Sequence, residues 1–587
     1  MTAKPKVNQA KNWFGTLKRL WAYLAAYQRL LILILVMVVV SSAMGLLGPY
    51  LIGAAIDRLL DRDFSRLPML LSLLAGSYLL HTVAMWLQNY WMIGVAQETV
   101  YTMRTELFRK LHKLPLSYFS KRQHGEMMSR LTNDIDNVSQ TLNSSFIQLF
   151  SSVLTFVGMI SIMILLSPWL TLIALTVIPL MYYGMKWITK RTGKYFKEQQ
   201  RNLGDLNGFV EETLSGQQVV KTFSQENRVI NEFNIRNERL KLSGYWAQTY
   251  SGFIPKLMNM LNNLSFALIA GAGGLLALNN LISVGVIVTF SEYSRQFTRP
   301  LNDLANQFNT FLSAVAGAER VFEVLDEQEE EQDEQSAVEL DQVTGEIIFS
   351  NVSFGYDVKH STLQAIDFRV APGETVALVG PTGAGKTTVV GLLSRFYDAD
   401  QGAIYIDGQD IRDVKRQSLR SHMGFVLQDS FLFQGTIRDN IRYGKLDASD
   451  AEVEKAAQLA NAETFICKMP NGYDTLLDQD GSGISQGQKQ LLSIARALLA
   501  NPSILILDEA TSSIDTITEL KIQEALYRLM DGRTSIVIAH RLNTIRQADH
   551  ILVLEQGKLI EQGSHEKLLK QRGFYYGLHH AGELAHS

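Results

Sequence analysis

The sequence predicts an all-α membrane domain of six helices joined to a soluble α/β domain, on three observations. Six long apolar stretches crowd into residues 30–300. A like-charged acidic run follows at 326–335. Beyond it, short β-type and helix-type patterns alternate to the end of the chain, as in α/β domains. At 587 residues, the chain is long enough for several domains.

The apolar stretches are Leu30 to Ile56, Met69 to Val95, Phe146 to Leu166, Trp169 to Ile188, Phe253 to Leu278, and Ile282 to about Arg299. Each reaches about twenty residues, enough for a hydrocarbon core near 30 Å. Ahead of them, residues 13–28 mix Trp13, Phe14, Leu17, Leu20, Trp21 and Leu24 with lysine and arginine at helical spacing. That pattern predicts an interfacial helix within residues 1–29, with a solvated lead-in as the alternative, and not a signal peptide, because the first apolar run is too long and lacks a cleavage site.

Lysine and arginine set the orientation. The loop after the second span carries Arg104, Arg109, Lys110, Lys113, Lys121 and Arg122, and the loop after the fourth carries Lys186, Lys190, Arg191, Lys194, Lys197 and Arg201. These loops and both termini are expected on the cytoplasmic side of a multi-pass plasma-membrane protein. Their helical periodicity with mixed charge predicts that the spans continue past the bilayer as rigid rods. Within the spans, Glu292 and Arg295 stand three apart and can pair on one face. Glu292 is a candidate cavity residue, with a self-neutralised pair near the inner interface as the alternative.

The net charge of −3 and the lack of a basic arm give no argument for nucleic acid. A single cysteine, Cys467, excludes an intramolecular disulfide framework. The run Asp326 to Gln335 reads as a solvated linker, placing boundaries at 30–325, 326–342 and 343–587.

The soluble domain contains Gly380-Pro381-Thr382-Gly383-Ala384-Gly385-Lys386-Thr387-Thr388, between the β-type run Thr375–Val379 and the helix-type run Thr387–Phe396. Strand, glycine loop and helix is the context of a phosphate cradle. Backbone N–H groups and the helix N-terminus face phosphate oxygens, Lys386 reaches the β- and γ-phosphates, and the Thr387 hydroxyl ligates Mg²⁺. The strand Ile504–Leu507 ends in Asp508, suited to Mg²⁺, and Glu509, suited to orienting or deprotonating water. The runs Ser535–Ala539 and Met423–Leu427 deliver His540 and Gln428 to the same edge, His540 as a γ-phosphate contact. Tyr356 is placed to stack on adenine or to pack on a β-surface. Gly483-Ile484-Ser485-Gln486-Gly487-Gln488 precedes a helical run and forms a second anion-seeking helix end. Two such ends but one glycine loop suggest a lid over nucleotide held by another copy of the domain.

The ordered set of Tyr356, the glycine loop, Gln428, Ser485–Gln488, Asp508-Glu509, Asp515 and His540 resembles the ATP-binding cassette exporters, over nearly all of the chain. The resemblance implies a half-transporter of the type I exporter architecture that uses ATP and Mg²⁺. It implies a second half-transporter as partner, two ATP molecules held head to tail, and Asp515 in a loop linking the sites. It also implies coupling segments at Ser117–Glu126 and Glu211–Phe223. One departure stands out. The family signature reads Leu-Ser-Gly-Gly-Gln, whereas this chain has Ile484-Ser485-Gln486-Gly487-Gln488. With Glu509 intact, the combination resembles the competent subunit of a bacterial heterodimeric multidrug exporter. The expected activity is ATP-driven export of amphipathic compounds, drugs foremost, among membrane lipids. Lipid or peptide export, or an ATP-gated channel or sensor, are the alternatives.

Overall fold

The computed structural model describes residues 13–330, 333–334, 336–356, 361–428, 430–481, 483–509, 514–539 and 542–586. They form two compact units, Met1–His112 with His124–Glu327, and Lys113–Gln123 with Gln328–Ser587.

The first unit is helical. Helix α1 (Trp13–Ala25) is amphipathic, burying Leu20 and Leu24 while Trp13, Phe14 and Trp21 stay exposed. Then come α2 (Gln28–Leu60) and α3 (Leu67–Leu111). The short α4 (Leu116–Ser120) belongs to the second unit. Long helices α5 (His124–Leu166), α6 (Pro168–Ser215) and α8 (Glu226–Leu278) follow, with the short, wholly unburied α7 (Gln217–Thr222) between the last two. Among the described residues, five helices, α2, α3, α5, α6 and α8, are long and apolar enough to cross a membrane. At about 1.5 Å per residue, the 53 residues of α8 extend about 80 Å, far beyond a hydrocarbon core of about 30 Å. The rod-like continuation read from periodicity is therefore present.

The sixth apolar stretch behaves differently. It falls on α9 (Val284–Gln296), only 13 residues long, and the start of α10 (Thr298–Leu325). Pro300 stands in the first turn of α10 and has no N–H to offer the Gln296 carbonyl, so the α-ladder is interrupted there. Glu292 and Arg295 pair on α9 at 3.6 Å, and the Arg295 guanidinium also covers the Phe266 ring.

Helix α5 contains two π-helical turns, Arg130–Asp134 and Thr141–Ser145. Asp134, buried in the first, accepts from Nε of Arg320 on α10 at 2.8 Å. At the other end of the bundle, Asp57 of α2 accepts from the Gly285 N–H at 2.6 Å and the Ser283 hydroxyl at 2.5 Å, satisfying the start of α9. Nearby backbones touch: a Cβ on Gly53 would lie 2.4 Å from the Gly285 carbonyl oxygen. Leu46, Met159, Met163, Phe290 and Tyr293 fill the core of this unit.

In the second unit, part of the stretch read as a solvated linker is held by the folded domain through Glu330, Asp333 and Glu339. The Arg416 guanidinium donates to Asp333 at 3.1 Å and its backbone N–H at 2.9 Å. Arg420 donates to Glu330 at 2.7 Å, Arg395 lies 3.5 Å from Asp333, and Lys415 donates to Glu339 at 2.7 Å. Arg395 and Arg416 are buried. Charge density that forbids a core of its own thus becomes a strap over buried guanidinium groups, which require such partners. Lys113, just before α4, joins the same strap through its carbonyl, which accepts from the Glu330 N–H at 2.8 Å.

Two sheets build the rest. An antiparallel sheet contains β1 (Ile347–Phe354), β2 (Leu363–Val370), β4 (Gln401–Ile406) and β5 (Gln409–Asp410), in the order β2-β1-β4-β5. The main sheet contains β3 (Thr375–Val379), β6 (Met423–Val426), β7 (Ile504–Glu509), β8 (Thr534–Ala539), β9 (His550–Glu555) and β10 (Lys558–Gly563), in the order β10-β9-β3-β8-β7-β6. All its neighbours run parallel except β9 and β10. Strands β3, β7 and β8 are buried on both faces, as their continuous apolar runs require.

Candidate nucleotide-binding site

Parallel register brings the chemistry to one edge of the sheet. Val379 ends β3 and opens the glycine loop. In β7, Asp508 and Glu509 pair with Ile538 and Ala539 of β8, and Val426 of β6 pairs with Leu507. Gln428 follows β6 by two residues and is exposed. Crevices at the carboxyl ends of parallel strands are where such sheets hold ligands. The side chain of Glu509 and all of His540 lie outside the described residues.

The loop's shape depends on two glycines. Gly385 has φ 102°, and a Cβ there would meet Leu363 Cδ2 at 2.5 Å. At Gly380 a Cβ would come within 2.1 Å of the Leu554 carbonyl oxygen. Any other residue would push the loop off β9 and β2. Helix α11 (Lys386–Leu393) begins directly after Gly385. Thr382, Gly383 and Thr387 are exposed at its mouth, while Ala384 and Thr388 are buried.

Lys386 is buried, and its amine donates to the carbonyls of Gly380 at 2.7 Å and Pro381 at 3.0 Å. Burial lowers its pKa, and the nearby Asp508 carboxylate opposes that. Those two carbonyls hold the ammonium inside the glycine loop. Tyr356 shares a hydrogen bond of 3.1 Å with the Thr388 hydroxyl and meets Tyr397 edge-on at 5.1 Å. It is half-exposed, so its ring is both packed and presented.

The helix end at Ser485–Gln488 is also well formed. Ser485 Oγ accepts from the Gln488 N–H at 3.3 Å, and Gln488 Oε1 accepts from the Ser485 N–H at 2.9 Å. This capping box starts α12 (Gln486–Ala500). Gln486 occupies its first helical position and is exposed. Gly487 is buried, and a Cβ there would lie 2.5 Å from Thr518 Cγ2. Thr518 belongs to α13 (Thr516–Met530), whose N-cap Asp515 accepts from the Thr518 N–H at 2.9 Å. That bond and its neighbours hold the Asp515 carboxyl below the usual range. Thr518 therefore ties Ser485–Gln488 to Asp515, which spacing does not reveal.

Sequence reasoning also missed Arg496. Its guanidinium donates to the Asn440 carbonyl at 2.9 Å and the Phe431 carbonyl at 3.2 Å. It thereby pins the segment after Gln428 to α12. An arginine in a helical run signals nothing of this by itself.

The comparisons with known proteins agree with this architecture. Family profiles match twice, the ABC transporter transmembrane region at residues 31–301 and the ABC transporter domain at 363–512. The chain is 62% identical to the uncharacterized ABC transporter ATP-binding protein YfiC of Bacillus subtilis, over 97% of this chain and 95% of that protein. It is 40% identical to a fatty acid ABC transporter ATP-binding/permease protein of Mycobacterium bovis, over 98% of both. It is 36% identical to an ATP-dependent lipid A-core flippase of Syntrophus aciditrophicus, over 98% of this chain and 96% of that protein. Helical membrane region, glycine-loop α/β domain and full-length similarity lead to one conclusion: the chain belongs to the ABC transporter family, as an exporter-type half-transporter whose ATPase domain drives transport across a membrane.

Proposed function

We propose that this chain exports amphipathic compounds across the plasma membrane by alternating access, as one half of a heterodimer. The observation that carries the pairing is the mismatch between an intact Glu509 and a signature carrying Gln486. The first signature glycine lets backbone approach a γ-phosphate. Gln486 puts a side chain there instead, exposed at the first position of α12.

In this reading, Gly380, Thr382, Gly383, Ala384, Gly385, Lys386, Thr387 and Thr388 cradle ATP phosphates, and Tyr356 stacks on adenine. Asp508, Thr387 and Gln428 supply oxygen donors of the kind Mg²⁺ prefers. The ion would neutralise phosphate charge. Glu509 orients and deprotonates water, and His540 contacts the γ-phosphate. The partner's standard signature completes this site. Ser485, Gln486, Gly487 and Gln488 close a slower site on the partner, and Asp515 links the two. The domain limits are 1–29, 30–325, 326–342 and 343–587, with both termini and the ATPase domain cytoplasmic.

The test is ATPase activity of the purified chain, alone and with a half-transporter of standard signature. Low turnover alone and high turnover in the pair are expected. Robust, symmetric hydrolysis by a homodimer would sink the pairing.

For cargo, a lipid-like amphipath stands beside drugs, because two relatives are named for fatty acid and lipid A-core transport. Movement of labelled fatty acid versus a fluorescent cationic drug into inside-out vesicles, against a gradient, separates these cargoes and excludes a channel.

A further inference from the structure

The first unit holds an apolar cavity apart from the glycine loop and its neighbours. It lies beneath α1 and measures about 310 Å³. Leu20 and Trp21 of α1, Leu142 and Phe146 of α5, and Phe311 and Val315 of α10 line it. Thr141 brings a hydroxyl to the wall, 3.4 Å from the Thr310 carbonyl oxygen to which it donates. Water needs two to four polar partners to occupy a cavity, and this wall does not supply them. Apolar space of this size has room for part of an acyl chain.

The mouth specifies which hydrocarbon. Trp21 lines the cavity and is still 55% exposed, so its indole stands at the opening. Lys18 precedes it by one helical turn on the same face, is exposed, and forms no ion pair among the described residues. The adjacent Arg19, by contrast, is committed to Asp326 at 2.5 Å and to the Phe322 ring. Exposed Trp13 and Phe14 continue the aromatic edge, and Arg29 adds a second exposed cation at the start of α2. Aromatic rings with free cations along an amphipathic helix match the interfacial zone of a bilayer, where anionic headgroups gather. Thr141 and Leu142 belong to the second π-helical turn of α5. Such turns concentrate at functional sites and leave the wall locally wider than an α-helix would.

We propose that this cavity is a binding site for an anionic phospholipid of the bilayer. One acyl chain passes Trp21 into the cavity, and the phosphate rests on Lys18. The inference requires α1 to lie at a membrane surface and is independent of both the pairing and the cargo proposed above.

The test uses the full chain in phosphatidylcholine nanodiscs. Trace phosphatidylglycerol or phosphatidylcholine carrying an acyl-chain diazirine is cross-linked and mapped by mass spectrometry. The phosphatidylglycerol probe should label peptides around 17–24 and 142–150 above the other lipid-facing helices. Leu142→Trp, which fills the cavity, should cut that labelling at least fivefold. Lys18→Gln should abolish the preference for phosphatidylglycerol while labelling by both probes persists. Should Leu142→Trp fail to assemble, judged by its size-exclusion profile, Val315→Phe fills the same space from α10. Uniform labelling unaffected by a correctly assembled filling variant would overturn the proposal. So would displacement by excess oleate but not by excess unlabelled phosphatidylglycerol, which would mark a fatty-acid site instead.

Discussion

Glu509 stands one residue past Asp508 at the end of β7, in register with Ala539. If it serves as the general base, Glu509→Gln should keep ATP binding and lose turnover on the order of a hundredfold or more. Nucleotide affinity and steady-state hydrolysis of the paired transporter check this, and near-normal hydrolysis would remove Glu509 from the role. Gly487 offers a stability test. Its missing Cβ is what admits Thr518, at 2.5 Å from that position. Gly487→Ala should cost about 1–3 kcal/mol in unfolding free energy, as overpacking in a tight core does, and loosen Asp515 with it. The glycine loop was legible because its chemistry is local: backbone shape, helix end and lysine lie within nine consecutive residues. The link through Thr518 was not, because helices distant in sequence make it.

At the scale of elements, the strap after α10 changes most from expectation. A mostly acidic run has no reason to order by itself, and the arginines that hold its Glu330 and Asp333 lie 62 to 90 residues further on. Composition thus reported the run's charge but could not report its partners. Asp333→Ala takes one carboxylate from two buried guanidinium groups that keep Asp398, and Arg416→Ala leaves Asp333 and Asp398 without that cation, so each should destabilise by about 1–3 kcal/mol. A double variant should cost less than the sum, which a thermodynamic cycle in chemical denaturation would measure. The C-terminal helices supply a pH prediction. His565 Nδ1 lies 2.7 Å from the Tyr575 hydroxyl, and burial, then neighbouring His579 and Arg546, lower its pKa despite nearby Glu566. A base depressed in the folded state takes up its proton more readily when unfolded, so its contribution is intact above pH about 6.5 and is lost on acidification below it. His565→Gln should reduce the loss of thermal stability between pH 7.5 and 5.5, relative to the unmodified chain. The π-helical turns of α5 and the break before α10 were equally illegible from apolar length alone. Both are matters of backbone hydrogen bonding, which hydropathy does not encode.

For the whole molecule, the spans themselves argue for company. Only 11% of the most apolar window of α3 and 17% of that of α5 are buried within the chain. Lipid can cover such surfaces, but one chain does not wall off a passage from it. The proposed pairing makes a reciprocal forecast: Gln486→Gly should raise the ATPase rate of the chain purified alone, because each copy would then offer the other a standard lid. No gain, with assembly of dimers verified, would count against the asymmetric reading.

The tie between α2 and α9 has a kinematic consequence. Asp57 holds the first turn of α9, and glycines at 53 and 285 let the two backbones meet without side chains between them. Helices joined so closely have no room to slide or part at that end without breaking a charge-assisted bond. They are expected to travel as one body. Any opening at that face of the bundle must therefore swing the pair together, with the gap forming along its flanks.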